Sequence, residues 1–346
     1  MSKADCGCAR PLKLEIRRPA QASPAAAMPL RTTLTWRDVL GGWRVRWGIG
    51  RMRYHVTPGL YRIGTPDADS PVLVTANYKL TVDALRRRLT GLDLWILVLD
   101  TKGVNVWCAA GKGTFGTQEL IRSIEAVGLD QVVAHRRLVL PQLGAVGVAA
   151  HEVKAATGFQ VRYGPVLARD VPSYLAAGMQ TTPAMRRVPF GWRERLVLAP
   201  MEIAGAWKPA LGIALALAAL DLLRHGRFTS HLAIDVVPFF GAILTGGLLV
   251  PLFLPWLPSR AFAIKGAVAG ALCAISSMLL LPMGRVEASG TTLLVLAITS
   301  FMAMYFTGAT TFTNEAGARL EVRKALPVIV ISAVLGVVLR VTAVFV

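Results

Sequence analysis

The sequence predicts an α/β domain, a parallel sheet with helices on both faces, followed by an all-α transmembrane domain of five helices. Three observations support this prediction. Strand and helix patterns alternate through the first half of the chain, as they do in proteins with parallel sheets. From Ala206 onward there are five apolar stretches of roughly membrane-spanning length. The 346 residues are enough for about two domains.

In the α/β domain, short apolar runs predict strands, and apolar residues at helical spacing predict helices. The predicted strands are residues 72–76, 92–100, 137–140 and 159–163. The predicted helices are a helix that begins near Asn105 and residues 80–89, 118–127, 148–157 and 172–177. Open α/β sheets bind their ligands outside the carboxyl ends of the strands. We therefore expect the loops after these strands to form the binding edge.

The most informative segment is the run NVWCAAGK at residues 105–112, which directly follows the apolar segment 92–100. Asn105 is a good N-cap, and it would put Cys108 at about the third helical position. Unpaired N–H groups and the positive end of the helix dipole stabilise a thiolate there. The small residues Ala109–Gly111 would let this helix lie close to a flat partner such as a macrocycle. Spacing alone leaves open the alternative that Cys108 is a small buried hydrophobe, as most free cysteines are.

Charge and hydropathy divide the chain into four predicted parts. We expect a basic, disordered N-terminal arm (1–35), a cytoplasmic domain (36–180), a basic juxtamembrane linker (181–205) and the membrane domain (206–346). The predicted spans are residues 206–223, 232–257, 262–283, 291–309 and 326–346. The second span contains three prolines, so we expect it to be tilted or kinked.

Lysine and arginine near the span ends place the α/β domain in the cytoplasm, with the chain anchored in the cytoplasmic membrane. The basic residues that support this orientation are Arg186, Arg187, Arg193, Arg195 and Lys208 before the first span, and Arg319, Arg323 and Lys324 between the last two. Arg224 and Arg227, in the first outside loop, argue against it.

The net charge of +18 suggests either nucleic acid or anionic lipid as a partner. No nucleic-acid-binding motif accompanies the basic residues, which lie in the arm, in residues 37–53 and beside the first span. Attraction to lipid headgroups explains these positions more simply, and we expect no nucleic-acid partner.

Other catalytic and metal-binding patterns are missing from the sequence. The segment GKGTFG lacks the spacing of a phosphate-binding loop, and the five histidines are scattered. Of these, His135 and His151 could face a pocket, but a structural role is favoured. Cys6 and Cys8 are too few for a closed zinc site, so they either pass on a soft metal ion or belong to an inert tail. Cys273 lies within a predicted span.

The segment NVWCAAGKGTFGT resembles the cap-helix signature N(V/I)WCA(A/G)GK of the corrinoid proteins of bacterial mercury methylation (the HgcA family), with every position matched. The wider resemblance covers most of the chain. Its α/β part is similar to the corrinoid domain of the corrinoid iron–sulfur protein of the CO dehydrogenase/acetyl-CoA synthase system. The resemblance implies a Rossmann-like, corrinoid-binding fold for residues 36–180.

The resemblance also implies site residues. A cobalt corrinoid (cobalamin or a relative) would bind at the sheet's ligand edge, with Cys108 as the lower axial ligand of cobalt, Trp107 beside the ring and Asn105 capping the helix. A thiolate is a strongly donating ligand, so it would favour departure of the trans methyl group as a carbanion equivalent to Hg(II). Further predicted cofactor contacts are Val106, Ala109, Ala110, Gly111, Lys112, Thr114, Thr75, Asn77, Gln142 and Gly144.

The implied function is that of a membrane-anchored, corrinoid-dependent methyltransferase that makes methylmercury. Since the chain has no four-cysteine cluster motif, electrons would come from a ferredoxin-like partner with two iron–sulfur clusters, which could also deliver Hg(II). The methyl donor would be a methylated folate or another methyl carrier. Two alternatives remain open: a membrane-bound corrinoid methyl carrier that serves another acceptor, and a transporter with a corrinoid-binding regulatory domain. The lack of internal repeats and of paired charges at the bilayer midplane weakens the transporter alternative.

Overall fold

The computed structural model describes residues 27–229, 231–343 and 345. Within these residues the chain forms two compact units. The sheet unit consists of residues 27–34 and 55–186, and the helical unit consists of residues 35–54 and 187–345. Most of the predicted N-terminal arm, including Cys6 and Cys8, lies outside the described residues.

The sheet unit contains six strands: β1 (Met28–Pro29), β2 (Gly59–Ile63), β3 (Val72–Ala76), β4 (Leu94–Leu99), β5 (Arg137–Leu140) and β6 (Gln160–Tyr163). Their order is β1-β2-β4-β3-β5-β6. Strands β4, β3, β5 and β6 are parallel, whereas β2 pairs antiparallel with β4, and β1 pairs parallel with β2. The sheet is therefore mixed, and the prediction of a parallel sheet holds only for its four-stranded part.

The two additional strands have a clear physical origin. The connection from Ile63 to Val72 is short, and a parallel pairing needs a crossover of about a dozen residues or more, so β2 runs in the opposite direction to β3. Residues 27–34, predicted as part of a disordered arm, are held along this edge. The amide of Leu30 donates to the carbonyl of Arg62, at 2.8 Å. The Arg86 guanidinium also donates to the carbonyl of Thr33, at 2.9 Å.

Helices cover both faces of the sheet. The helices of this unit are α2 (Lys79–Arg86), α3 (Val106–Gly111), α4 (Thr117–Ala126), α5 (Leu129–Val132), α6 (Ala150–Thr157) and α7 (Val171–Ala176). Helices α3 to α6 pack on one face, where Leu97, Phe115 and Leu120 are buried. Helices α2 and α7 pack on the other face, around Ile96 and Tyr174. The predicted helices are confirmed, with ends that differ by one to three residues.

The helical unit begins with α1 (Trp36–Arg46), and its long helices follow. Five helical segments in the described part of the chain are long and apolar enough to cross a membrane: Trp192–Leu223, His231–Phe253, Phe262–Leu280, Arg285–Tyr305 and Ala316–Thr342. The elements involved are α8 (Trp192–His225), α9 (His231–Leu244), α10 (Val250–Phe253), α11 (Phe262–Leu280), α12 (Arg285–Tyr305) and α13 (Glu315–Thr342). Helix α8 begins well before the predicted span, so much of the predicted linker is helical.

Two local features explain how the helical unit packs. Residues Thr245–Leu249 form a π-helical turn just before Pro251, which cannot donate a backbone hydrogen bond. Helices α11 and α12 approach closely at Gly266 and Gly270, because a Cβ on either glycine would lie within 2.5 Å of an oxygen atom of Thr299. Small residues spaced four apart allow this contact between apolar helices.

Three charged residues in or beside the predicted spans lie near helix ends and pair with one another. One guanidinium nitrogen of Arg340, near the end of α13, contacts Glu287, near the start of α12, at 2.7 Å. The other contacts Asp235, near the start of α9. These three side chains line a cavity of about 680 Å³. These side chains therefore form one ion-paired group that joins the ends of three helices.

Candidate functional site

The motif helix α3 begins just beyond the carboxyl end of β4, as the sequence predicts. Asn105 has an extended backbone, and its side-chain oxygen accepts a hydrogen bond from the amide of Cys108 at 2.9 Å. This is the expected N-cap, and it places Cys108 at the third helical position. The Cys108 side chain is exposed and its thiol is free. It is not the buried hydrophobe that spacing alone left possible.

The helix divides the motif residues into two faces. Val106, Ala109 and Ala110 are buried in the sheet core, while Trp107, Cys108, Gly111 and Lys112 are exposed. A Cβ added to Gly111 would meet no atom within 4 Å. The exposed face of α3 is therefore open to solvent at Gly111, on the C-terminal side of Cys108. The two alanines use their small size for packing inside the unit.

The loop after β5 packs against this helix. Its 3-10 turn, Gln142–Gly144, contacts α3. Gly144 lies against the Phe115 ring, where an added Cβ would be 2.6 Å from a ring carbon. The side-chain oxygen of Gln142 accepts a hydrogen bond from Arg186 at 3.0 Å. The structure therefore brings two of the predicted segments together at one edge of the sheet.

Thr75 and Asn77 lie beneath this edge. Both are 2% exposed. The side-chain oxygen of Asn77 accepts hydrogen bonds from the amide and hydroxyl of Thr101, at 3.2 and 2.8 Å, and from the amide of Gly103, at 2.9 Å. Its side-chain nitrogen donates to Asp100 at 3.2 Å. Asn77 thus fixes the turn that leads into the motif helix.

That turn contains a group of residues that the sequence reasoning missed. Lys102 and Gly103 have positive φ angles of 57° and 72°. The Asp100 carboxylate accepts a hydrogen bond from the amide of Lys102 at 3.1 Å and also pairs with the Lys102 ammonium. The hydrogen bond from the Lys102 ammonium is the main cause that lowers the pKa of Asp100. An acidic residue directly after a buried strand was the available signal for this turn.

The remaining candidates have minor or structural positions. Thr114 is partly buried, and its hydroxyl makes only a long contact, 3.4 Å, with the carbonyl of Ala109. His135 bonds the carbonyl of Ser70 at 2.9 Å, and the His151 side chain is 85% exposed. Among the residues that the structure describes, no group of three or more His, Cys, Asp or Glu could hold a metal ion. Cys108 is therefore the soft ligand that this edge offers.

The turn before the motif helix is expected to loosen in acid. Because Asp100 has a lowered pKa when folded, its contribution to stability is present above the unfolded value, about 3.9, and is lost as the pH falls through the folded value. Amide exchange of residues 100–105, measured by mass spectrometry between pH 6 and pH 3, should show increasing opening below about pH 4. The Asp100→Asn variant should lack this increment. An unchanged pH profile in the variant would contradict the assignment.

Gly147 is expected to tolerate no side chain. An added Cβ would lie 2.2 Å from the Phe115 carbonyl oxygen and 3.1 Å from the Cα of Ala110. Gly147→Ala should therefore push the loop away from α3 and cost about 2 kcal/mol of local stability. Faster amide exchange across residues 106–117 would report it. Gly111→Ala is the matched control, and protection equal to that control would refute the prediction.

Comparison with known proteins places this site within a region of clear similarity. Residues 44–175 match a family model described as CdhD, the CO dehydrogenase/acetyl-CoA synthase delta subunit. These residues include the motif helix, the turn before it and the loop after β5. The match covers less than half of the chain and does not extend to the long apolar helices.

Curated relatives show the same pattern. The chain is 38% identical over 122 residues to the acetyl-CoA decarbonylase/synthase complex subunit gamma of Methanopyrus kandleri, covering 35% of this chain and 26% of the relative. It is 34% identical over 127 residues to the gamma subunit of Archaeoglobus fulgidus, covering 36% and 27%. With the Methanosarcina acetivorans gamma subunit it shares 31% over 124 residues, covering 35% and 26%.

The chain thus spans about a quarter of the length of these relatives. The family model names the delta subunit, whereas the relatives are gamma subunits, so the similarity is to subunits of this complex and does not single out one of them. The region that carries the candidate site is related to subunits of the CO dehydrogenase/acetyl-CoA synthase system.

Proposed function

We propose that this chain is a membrane-anchored, corrinoid-dependent methyltransferase that transfers a methyl group to Hg(II). The single observation that carries the proposal is the free, exposed Cys108 thiol on the Asn105-capped helix, at the carboxyl edge of the sheet. The match of residues 44–175 to the delta subunit of CO dehydrogenase/acetyl-CoA synthase supports it, and so does the NVWCAAGK signature.

The exposed face of α3 fits a broad, flat cofactor. Cys108 would supply a sulfur ligand to the cobalt, and Gly111 leaves the neighbouring surface free of side-chain atoms. Trp107 offers an exposed aromatic surface next to the thiol, and Lys112 a positive charge. When bound, the corrinoid supplies a methyl group on cobalt that can be given to an electrophilic metal ion.

The residues of the chain prepare the thiol for this role. The Asn105 cap holds the start of α3, where Cys108 occupies the third helical position. A thiolate ligand donates electron density strongly, which favours transfer of the methyl group as a carbanion equivalent. Asn77 holds the preceding turn, so the backbone that leads into α3 is ordered before any cofactor binds.

The other parts of the proposal concern location and partners. The five long apolar helices would anchor the chain in the cytoplasmic membrane, with the sheet unit on the cytoplasmic side. A ferredoxin-like protein with two iron–sulfur clusters would return electrons and could deliver Hg(II), because the four cysteines of the chain are scattered and form no cluster motif. A methylated folate or another methyl carrier would supply the methyl group.

The optical spectrum of the purified full chain, together with a methylmercury assay that contains a reductant and a methyl donor, tests the proposal. We expect a bound corrinoid with a sulfur ligand, and methylmercury formed in proportion to it. A Gly111→Leu variant should fold normally and lose the corrinoid, because the added side chain would project from the open face of α3. Ala176→Leu, at an exposed position of α7 on the other face of the sheet, adds the same side chain and controls for surface hydrophobicity. A chain with no corrinoid under any loading condition would refute the proposal.

The second candidate is a membrane-bound corrinoid methyl carrier with a different acceptor. The names of the relatives favour it, since they are subunits of acetyl-CoA decarbonylase/synthase complexes. Both candidates predict the sulfur-ligated corrinoid. They differ in the product, because a carrier would release its methyl group to a protein or thiol acceptor and form no methylmercury when Hg(II) is supplied.

A further inference from the structure

Helix α1, in the helical unit, is well formed and has an apolar stripe that no described part of its own unit covers. Its N-cap is Thr35, whose hydroxyl accepts a bond from the Asp38 amide while the Asp38 carboxylate accepts one from the Thr35 amide. The stripe comprises residues spaced three or four apart, each 42% to 69% exposed: Trp36, Val39, Leu40, Trp43 and Trp47. This spacing puts all five side chains on one face.

The opposite face of α1 is the one that packs. Gly42 and Val45 are buried there. Tyr54 lies across this face, since its hydroxyl donates to the Asp38 carbonyl at 3.3 Å, and a Cβ on Gly41 would be 2.5 Å from the same hydroxyl. Helix α1 also contacts α8. The helix is therefore fixed by its inner face, and the stripe is directed away from it.

Arginines flank the stripe. Residues 35–54 contain five arginines and a single acidic residue, Asp38. At 100° per residue, Arg37 and Arg44 fall on one side of the stripe and Arg46 falls on the other. Arg37 and Arg44 are exposed, and the Arg37 guanidinium lies 5.5 Å from the centre of the Trp36 ring. An apolar ridge bordered by positive charge is the surface that an anionic lipid layer would complement.

We propose that α1 is an interfacial helix that lies in the headgroup layer of a membrane containing anionic lipid. The three tryptophans of the stripe would reach the acyl boundary, where tryptophan is enriched in membrane proteins. The flanking arginines would contact lipid phosphates, with a preference of about fivefold per arginine for an anionic surface. Continuity favours lipid over a protein partner, because α1 contacts α8, one of the helices apolar enough to cross a membrane. This contact between α1 and lipid does not require that the chain bind a corrinoid.

Hydroxyl-radical footprinting of the full chain in lipid nanodiscs tests this inference. In the full chain without added corrinoid, the exposed fractions of Trp36 and Trp43, 69% and 62%, would make them oxidise faster than Trp107, at 42%, if lipid covered none of the three. In discs of phosphatidylcholine with phosphatidylglycerol we expect the reverse order, with Trp36 and Trp43 at least several-fold slower than Trp107. In the wild-type chain, cleavage at arginine and lysine puts each of these tryptophans in a separate tryptic peptide, so each rate is read directly. In the arginine variant below, Trp36 and Trp43 share one peptide, so their combined rate is compared. Oxidation of Trp36 and Trp43 as fast as that of Trp107 would overturn the inference, because it would show that lipid does not cover this face.

The preference for anionic lipid has its own control. In discs of phosphatidylcholine alone, the protection of Trp36 and Trp43 should fall. An Arg37→Gln, Arg44→Gln double variant in the mixed discs should show the same lower protection as the wild type in phosphatidylcholine. Equal protection of the wild-type chain in both kinds of disc would overturn the assignment to anionic lipid, whatever the variant does.

Discussion

Cys108→Ala is expected to abolish methylmercury formation, with a loss of more than about 100-fold. The reason is that removing even a residue that supports a metal ligand costs about 10- to 100-fold, and here the proposed ligand itself is lost. The variant should also lack the sulfur-to-cobalt absorption band of the wild type. The fold should be unaffected, because the Cys108 side chain is exposed and packs against nothing in the core. The measurements are the optical spectrum and the methylmercury yield per bound corrinoid.

Cys273→Ala is the matched control for this prediction. Cys273 is the other free cysteine of the described residues and lies in α11 of the helical unit. The Cys273→Ala substitution should leave both the optical spectrum and the methylmercury yield unchanged. Wild-type yield from Cys108→Ala would refute the proposed role of the thiol. A Cys6→Ala, Cys8→Ala double variant should have little effect if the N-terminal arm is inert, and a loss confined to low Hg(II) would indicate a role in metal transfer.

Asn77→Ala is expected to have the largest effect on the stability of the sheet unit. The substitution would leave the Gly103 amide without its partner. The Thr101 amide and hydroxyl would lose their bonds to Asn77 and keep those to the carbonyls of Leu99 and Val104. A buried polar group that loses its partner costs about 1–3 kcal/mol, so the free energy of opening of residues 100–105 should fall by about 2 kcal/mol. Amide exchange at Thr101 and Gly103 in the full chain measures it directly.

The same variant should weaken corrinoid binding, because the turn that Asn77 holds leads into the motif helix. Gln131→Ala, which removes an exposed amide side chain, is the control and should change neither property. Protection of residues 100–105 equal to that of the wild type would show that Asn77 does not hold this turn.

The parallel part of the sheet was predictable because its signals are local. All six residues of β4 are apolar and buried. A short, continuous apolar run of this kind is typical of a strand that is covered on both faces. Strand β2 was missed since its five residues, GLYRI, give too short an alternation to stand out. Its partner β4 is also separated from it by another strand and a helix, so the pairing is decided by distant residues rather than by local sequence.

The sequence predicted the centre of the candidate site, but it predicted fewer of the residues that surround this centre. Asn105 and Cys108 follow from cap chemistry, which involves residues three apart. The inward direction of Ala109 and Ala110 could not be read from the sequence, because small residues fit either a core or a ligand surface. The role of Asn77 depends on partners 23 to 26 residues away. The apolar stripe on α1 was missed for a different reason. The prediction for this segment rested on the charge of its arginines, whereas the stripe follows from the helical spacing of its tryptophans.

The shortness of α3 has a consequence for protein engineering. A six-residue helix has less than two turns and could not hold a thiol in place by its own backbone bonds. Its start depends on the turn that Asn77 holds, and its inner face depends on the close approach of Gly147. Grafting NVWCAAGK onto another α/β scaffold would therefore not transplant the site. A functional graft would have to carry Asn77, residues 100–104 and the loop through Gly147 together with the motif.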